Sequence, residues 1–350
     1  MQSTNKYFFP VLLTLLVVVM LCAIAFGAVP IAVTDMLSSI THWITGEKPA
    51  NIYEGVFLQI RLPRVLLCMI TGAVLSVSGV LMQGLFRNPI VEPGLIGTSA
   101  GAAFGASVVF VLSAGLNKEI QQLAGPLLVP LFAFGGGLLA TYTVYVLAKG
   151  TRRMDVTTLL LIGIAVNAVG LSGTGFMSYI ARDPQARSIT FWNLGTFSGA
   201  AWMQVWITGT VAAFVFWISL RYAKQLNTLV LGEEEANYAG VDTERLKRKI
   251  MLYNTAMVSV ATAFVGVIGF MGLIVPHVMR LLIGSDHKKL LPASMIMGAL
   301  LLTLADMGAR LILAPAEIPI GIITSLVGAP VFIMLLRRTN ILNTKGGGHD

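Results

Sequence analysis

Charged residues make up only 11% of this 350-residue chain, against roughly a quarter in a typical soluble domain. A water-soluble globule of this size would lack polar surface, which excludes it. Cysteine is nearly absent: Cys22 and Cys68 both lie inside apolar runs, so neither a disulfide framework nor a thiolate metal cluster is indicated. There is no H-E-x-x-H and no zinc-type Cys/His spacing, so no metal site is expected. No G-x-x-x-x-G-K-[ST] occurs either, so any ATP hydrolysis coupled to this chain must belong to another subunit. Low-complexity sequence is limited to the tail at 344–350, and no soluble domain is appended.

What is present is hydrophobic residue, 56% of the chain, with a mean hydropathy of +0.81. Apolar runs recur at 8–29, 62–85, 94–115, 124–148, 156–180, 202–221, 250–270, 272–284, 290–312 and 319–336. Runs of this kind predict an all-α, polytopic membrane protein of about ten transmembrane helices, because a helix satisfies its own backbone inside lipid. The eighth run is short and holds Pro276 and His277, so a broken or re-entrant segment is an alternative there. The first run follows Lys6 and ends in small residues, as a signal peptide does. It is longer than a signal core, however, and reads as a retained helix.

The net charge of +8 could suggest nucleic acid. Its distribution favours a membrane instead. With the N-terminus inside, 17 of the 24 Lys and Arg fall on the cytoplasmic side, including Arg152, Arg153 and the basic end Arg245 to Lys249. That bias puts both termini in the cytoplasm. Trp43, Trp192, Trp202 and Trp206 then lie in or near outer loops. The largest polar island, 222–249, carries Glu233 to Glu235 and reads as short amphipathic helices on the cytoplasmic face.

Small residues at helical spacing, such as Gly72, Ser76 and Gly79, let helix backbones approach closely. Gln83 and Asn167 are amides within apolar runs, so they either join helices or line a pathway. Asp306 is the one acid well inside a span, and Arg310 one turn later is placed to pair with it. "GTSAG" at 97–101 matches a nucleophile elbow around Ser99 in form only, since it opens a glycine-spaced membrane helix rather than a strand–turn–helix.

Four stretches resemble the permease family of iron-chelate, haem and cobalamin importers, the type II ATP-binding-cassette import systems. They are "RLPR" at 61–64, "GAVLSVSGVLMQGLFRNPIVEPGLIG" at 72–97, "WNLGTFSGAAW" at 192–202, and the long string from Gly266 to Pro330. The resemblance implies a single transmembrane permease domain over 1–350 that forms a homodimer around a translocation pathway. Two cytoplasmic ATPase subunits and an extracytoplasmic substrate-binding protein are the implied partners. ATP and magnesium are used by the ATPase, and the permease itself is not an enzyme.

Carried over position by position, the resemblance implies docking of the binding protein at Arg61, Arg64 and Arg310. It implies a cytoplasmic gate at Asn88, Pro89 and Ile90, where the family's leucine is replaced by isoleucine, with Thr157 and Thr158 as a second element. It also implies coupling to the ATPase through Gly232, Glu233, Glu234, Ala236 and Gly240. The setting is the cytoplasmic membrane of a bacterium. The expected cargo is an iron chelate, siderophore or haem, with cobalamin as the alternative. "EPGLIG" at 92–97 is closer to haem and cobalamin permeases than to many siderophore permeases, yet no His, Met or Tyr cluster marks a haem pocket. An ion-coupled secondary transporter, an intramembrane enzyme and a scaffold are the readings from other classes. The long cytoplasmic island and the scarcity of buried acids argue against the first of these.

Overall fold

The computed structural model describes residues 6–27, 31–45, 51–113, 118–149 and 156–346. Among these every regular element is a helix, and no strand occurs. Each of the ten apolar runs is occupied by one. They are α1 (Phe8–Ala25), α4 (Leu62–Phe86), α5 (Thr98–Leu112), α6 (Lys118–Ala148), α7 (Val156–Ile180), α9 (Trp202–Leu229), α11 (Thr243–Val265), α12 (Met271–Ile283), α13 (His287–Ile312) and α14 (Ile320–Gly346). Between them lie α2 (Val33–Thr45), α3 (Ile52–Val56), α8 (Gln185–Asn193) and α10 (Glu233–Tyr238).

By length and composition, six helical stretches can cross a membrane: those at 8–25, 52–86, 127–148, 157–180, 202–229 and 287–312. The helices at 98–112, 271–283 and 320–334 are apolar but shorter. At 1.5 Å rise per residue, the 13 residues of α12 reach only about 20 Å, less than the roughly 30 Å of a hydrocarbon core. The first turns of α11 carry Glu244, Arg245, Lys247, Arg248 and Lys249, which confines its apolar part to the later turns.

Helix α4 is the hub. In the stretch 52–86, 78% of the apolar window is buried inside the chain, against 22% for α7. It packs on α13, α9, α12 and α11, combining buried side chains such as Leu67, Leu81 and Leu85 with glycine notches. Gly79 lies so close to Gly272 of α12 that a Cβ would sit 2.7 Å from the Gly272 Cα, and Gly72 meets the Gly298 carbonyl of α13 in the same way. In lipid there is little hydrophobic gain between helices, so close backbone approach supplies the attraction. Gly101 of α5 and Gly136 of α6 repeat the device in the second half of the bundle.

Helix α1 is fastened to the bundle at its C-terminal end. Its last carbonyls, which have no intrahelical donor, accept hydrogen bonds from arginines of other elements. Arg61 donates to Ile24 O at 3.0 Å and Phe26 O at 2.7 Å, and Arg310 donates to Ala23 O at 2.9 Å.

Helices α2 and α3 occupy the stretch between the first two apolar runs. Asn51 caps α3 by accepting from Glu54 N at 2.8 Å. The buried Glu54 carboxylate in turn accepts from Ser38 Oγ at 2.8 Å and meets His42 Nδ1 at 2.9 Å, tying α2 to α3. Trp43 stacks on Trp202, and Trp202 on Trp206, with centroids 6.4 and 6.5 Å apart. Three of the four tryptophans foreseen in or near outer loops thus form one aromatic ladder along α2 and α9, of the kind enriched at membrane–water interfaces, while Trp192 is buried in α8.

Candidate functional site

The chemistry-bearing residues gather in three places: one end of the bundle near α2 and α3, the other end near α10, and a cavity between them.

At the first end, the arginines of "RLPR" converge on α13. Asp306, 2% exposed, accepts from Arg64 Nη2 at 2.9 Å and from Arg310 Nε at 3.0 Å. The i,i+4 pair with Arg310 was legible in the sequence; the Arg64 partner, 242 positions away, was not. Arg64 also donates to Glu317 Oε1 at 2.7 Å, and Glu317 is 39% exposed. Arg61, Arg64 and Arg310 are all buried, and each is engaged within the chain. The fold therefore gathers the three expected docking positions at one end of the bundle as buried, bonded groups rather than as free surface cations.

At the opposite end, α4 stops at Arg87, whose positive φ of 49° turns the chain. Asn88 Oδ1 accepts from Ile90 N at 3.0 Å, closing a side-chain turn over Pro89, and Ile90 is exposed. Thr157 and Thr158 are exposed in the first turn of α7. Arg152 and Arg153 lie outside the described residues.

The polar island folds into the end of α9, the short α10 and the start of α11. Gly232 takes φ 144°, a backbone region that L side chains rarely adopt. Gly240 takes φ 83° on the far side of α10 and donates to Asn237 O at 3.0 Å. Between them Ala236 is fully buried in the main core, and Glu233 accepts from Lys247 Nζ at 2.9 Å. The ammonium of Lys247, a 1% exposed side chain, also meets Glu244 at 3.2 Å. α10 is thus held rigidly on one face. It leaves Tyr238, 92% exposed, in solvent with Glu234 and Glu235, and Leu231 in the preceding turn is 73% exposed. Tyr238 and Leu231 were not singled out from sequence; their signal was apolar bulk inside an otherwise charged island.

The junction of α9 and α13 completes this end. Asn227 donates to Asp286 Oδ1 at 2.7 Å and accepts from His287 N at 2.9 Å. That bond from Asn227, with the Lys288 backbone N–H and the neighbouring lysines adding to it, holds the Asp286 carboxyl below its ordinary range.

Between the two ends lies a cavity of about 490 Å³ bordered by the 3₁₀ turn Pro93–Ile96, α5, α7 and the loop before α12. Its polar lining is Glu92, Ser99, Asn167 and Asn193. Asn167 donates to Gly94 O at 3.0 Å, while its carbonyl oxygen is buried without a partner among the described residues. Asn167 therefore pins the 3₁₀ turn and borders the cavity. Gln83 differs. It donates to Gly272 O at 2.9 Å and accepts from Arg280 at 2.6 Å, so both ends of its amide join α4 to α12.

Glu92 was not singled out from sequence, where it is one letter of "EPGLIG"; only the fold turns it toward a cavity. Phe270, at the cavity's loop, holds φ 68°, uncommon for a bulky residue. Ser99 lies in the first turn of a helix, not on a strand–turn–helix elbow, so the hydrolase pattern has no structural support. Among the described residues no group of three or more His, Cys, Asp or Glu is placed to hold a metal ion.

Comparison with known proteins gives a consistent neighbourhood. The model of the FecCD transport family matches residues 15–338. The hemin transport system permease protein HmuU of Yersinia pestis is 39% identical over 330 residues, 93% of this chain and 94% of that protein. The vitamin B12 import system permease protein BtuC of Klebsiella pneumoniae is 37% identical over 318 residues, covering 90% and 93%. A solved inward-facing metal-chelate type ABC transporter superimposes with a TM-score of 0.82 at 30% identity, covering 95% of this chain and 99% of that one. With its helical bundle, its membrane-length helices and this match over nearly its whole length, the chain belongs to the FecCD transport family.

Proposed function

We propose that the chain is the membrane-spanning permease of an ATP-binding-cassette importer that carries an iron chelate, a siderophore complex or haem, across the cytoplasmic membrane. The observation that carries this reading is α10. It is a short helix clamped to the bundle by Lys247 and Ala236, yet it presents Tyr238 to solvent, and the turn leading into it presents Leu231. An exposed aromatic and an exposed leucine on a rigid mount suit a protein partner better than water. In this reading two ATPase subunits seat α10 of each permease, with Gly232, Glu233, Glu234, Ala236 and Gly240 shaping the mount. Closure around ATP and magnesium, both bound by the partner, then moves the bundle as a body. Force can pass this way only if the partner contacts the two states of the permease differently.

The remaining assignments follow the same orientation. Both termini and α10 are cytoplasmic, and two copies of the chain enclose the pathway. Asn88, Pro89, Ile90, Thr157 and Thr158 form its inner gate. The arginine cluster at the other end receives acidic residues of an extracytoplasmic binding protein. Since Arg64 is already bound to the half-exposed Glu317, docking there proceeds by exchange of one carboxylate for another. The cavity beside Glu92 and Asn167 borders the pathway and offers hydrogen bonds without a tight pocket.

For cargo, the HmuU relative favours haem-type iron chelates, and the BtuC relatives keep cobalamin as the second reading. The test is reconstitution into liposomes with the ATPase inside and the binding protein outside, offering a ferric siderophore, haem and cobalamin in parallel. Uptake of an iron chelate that needs all three proteins and ATP is expected. Uptake by the permease alone under an ion gradient would overturn the reading, and uptake of cobalamin only would overturn the cargo.

A further inference from the structure

A cleft of about 410 Å³ opens on the outer surface of the bundle, between α6 and α11. Its walls are Leu138, Tyr142 and Tyr145 of α6 with Arg248, Leu252 and Thr255 of α11. Gly137 of α6 lies against Ser259 of α11, while Tyr145 and Arg248 line the same cleft, so the two helices run in opposite directions, with Tyr145 toward the Arg248 end and Leu138 toward the Thr255 end. Seven residues separate Arg248 from Thr255, about 10 Å along a helix. The cleft therefore starts at the α10 end of the bundle and reaches about a third of the way through a hydrocarbon core.

Its two ends differ in character. At the mouth stands Arg248, exposed and, among the described residues, without an ion-pair partner. Its neighbours on α11 are otherwise engaged: Arg245 meets Asp242 at 3.4 Å, and Lys247 meets Glu233 and Glu244. Lys149, also exposed, directly follows α6 and donates its backbone N–H to Tyr145 O at 3.0 Å, which continues the helical turn and sets it one turn beyond Tyr145. Arg248 thus stands in the wall of an otherwise apolar slot, with Lys149 just past its mouth on α6. Deeper in, Tyr142 and Leu252 are 65% and 62% exposed, so the slot faces outward rather than into the core. At its inner end the Thr255 hydroxyl, on a residue 3% exposed, is buried without a hydrogen-bond partner among the described residues.

We propose that this cleft is a binding site for an anionic phospholipid of the leaflet on the α10 side. The phosphate lies against Arg248 and Lys149, and one acyl chain follows α6 and α11 toward Thr255. Basic pockets between membrane helices are suited to acidic head groups, because the cation gains a partner at a depth where water is scarce. The site goes beyond the transport reading and needs only that these helices cross a bilayer.

The experiment is native mass spectrometry of the full chain in mild detergent, titrated with phosphatidylglycerol or phosphatidylcholine. Wild type is expected to retain phosphatidylglycerol preferentially. Arg248→Ala should weaken phosphatidylglycerol about five-fold, with little change for phosphatidylcholine. Leu252→Trp, at an exposed position, should fill the slot and reduce retention of both lipids. Lys288→Ala, an exposed cation outside the cleft, should leave retention unchanged. Equal retention of the two lipids by wild type overturns the proposal. So does a Lys288→Ala effect as large as that of Arg248→Ala, which would mean diffuse surface charge. Loss of ATPase co-purification in Arg248→Ala with lipid binding intact overturns it as well, since Arg248 would then belong to the docking surface.

Discussion

Asp306 is where single side chains matter most. It compensates two buried guanidinium groups at once, Arg64 and Arg310, on two different helices. Removing one member of a buried ion pair leaves an uncompensated charge and costs about 3–5 kcal/mol. Asp306→Asn should therefore lower the unfolding temperature of the detergent-solubilised chain markedly, and an unchanged transition would show that the cluster is not structural. Glu317 offers the complementary case, because its carboxylate is 39% exposed and holds Arg64 at 2.7 Å. If an incoming acid displaces it, Glu317→Gln should tighten docking of the binding protein several-fold, more so at low salt. No change in affinity would remove these arginines from the docking surface. The sequence offered only part of this cluster. Spacing along one helix gives Asp306 with Arg310, but nothing local in "RLPR" points to a partner in another helix.

Elements divide into those that announce themselves and those that do not. The apolar runs marked every long helix, because composition alone selects a helix when backbone groups must be satisfied without water. Helices α2 and α3 were not foreseen, since each is short and owes its place to Glu54, Trp43 and Trp202 rather than to its own pattern. The glycine notches were legible as spacing, but their opposite numbers were not. Gly79→Leu would drive a side chain into the Gly272 backbone, which cannot yield as a flexible side chain would. Overpacking of this kind costs about 1–3 kcal/mol or more, so poor recovery of monodisperse protein is expected by size exclusion, and normal recovery would refute the close packing. For α10, replacing Gly232 by Val and Glu234 by Ala together should separate ATP hydrolysis from uptake in the reconstituted importer. At its φ of 144° Gly232 holds a backbone conformation that valine rarely adopts. Coupled transport at the normal rate in that double variant would cancel the assignment of α10 as the point of force transfer.

For the molecule as a whole, composition was enough to reject a soluble fold and to set an all-helical one, while the number of complete crossings depends on helices such as α12 that are too short to declare themselves. Cargo is the least legible property, since the polar groups around the Glu92 cavity are few and generic. One consequence follows from the placement of α4. A rod enclosed on all sides, with glycine backbones pressed on those of its neighbours, cannot slide or spin without losing several close contacts together. It behaves as an axle. Any alternation of access to the two sides must leave α4 and its immediate neighbours moving as one block, and confine relative motion to thinly buried helices such as α7 at the rim.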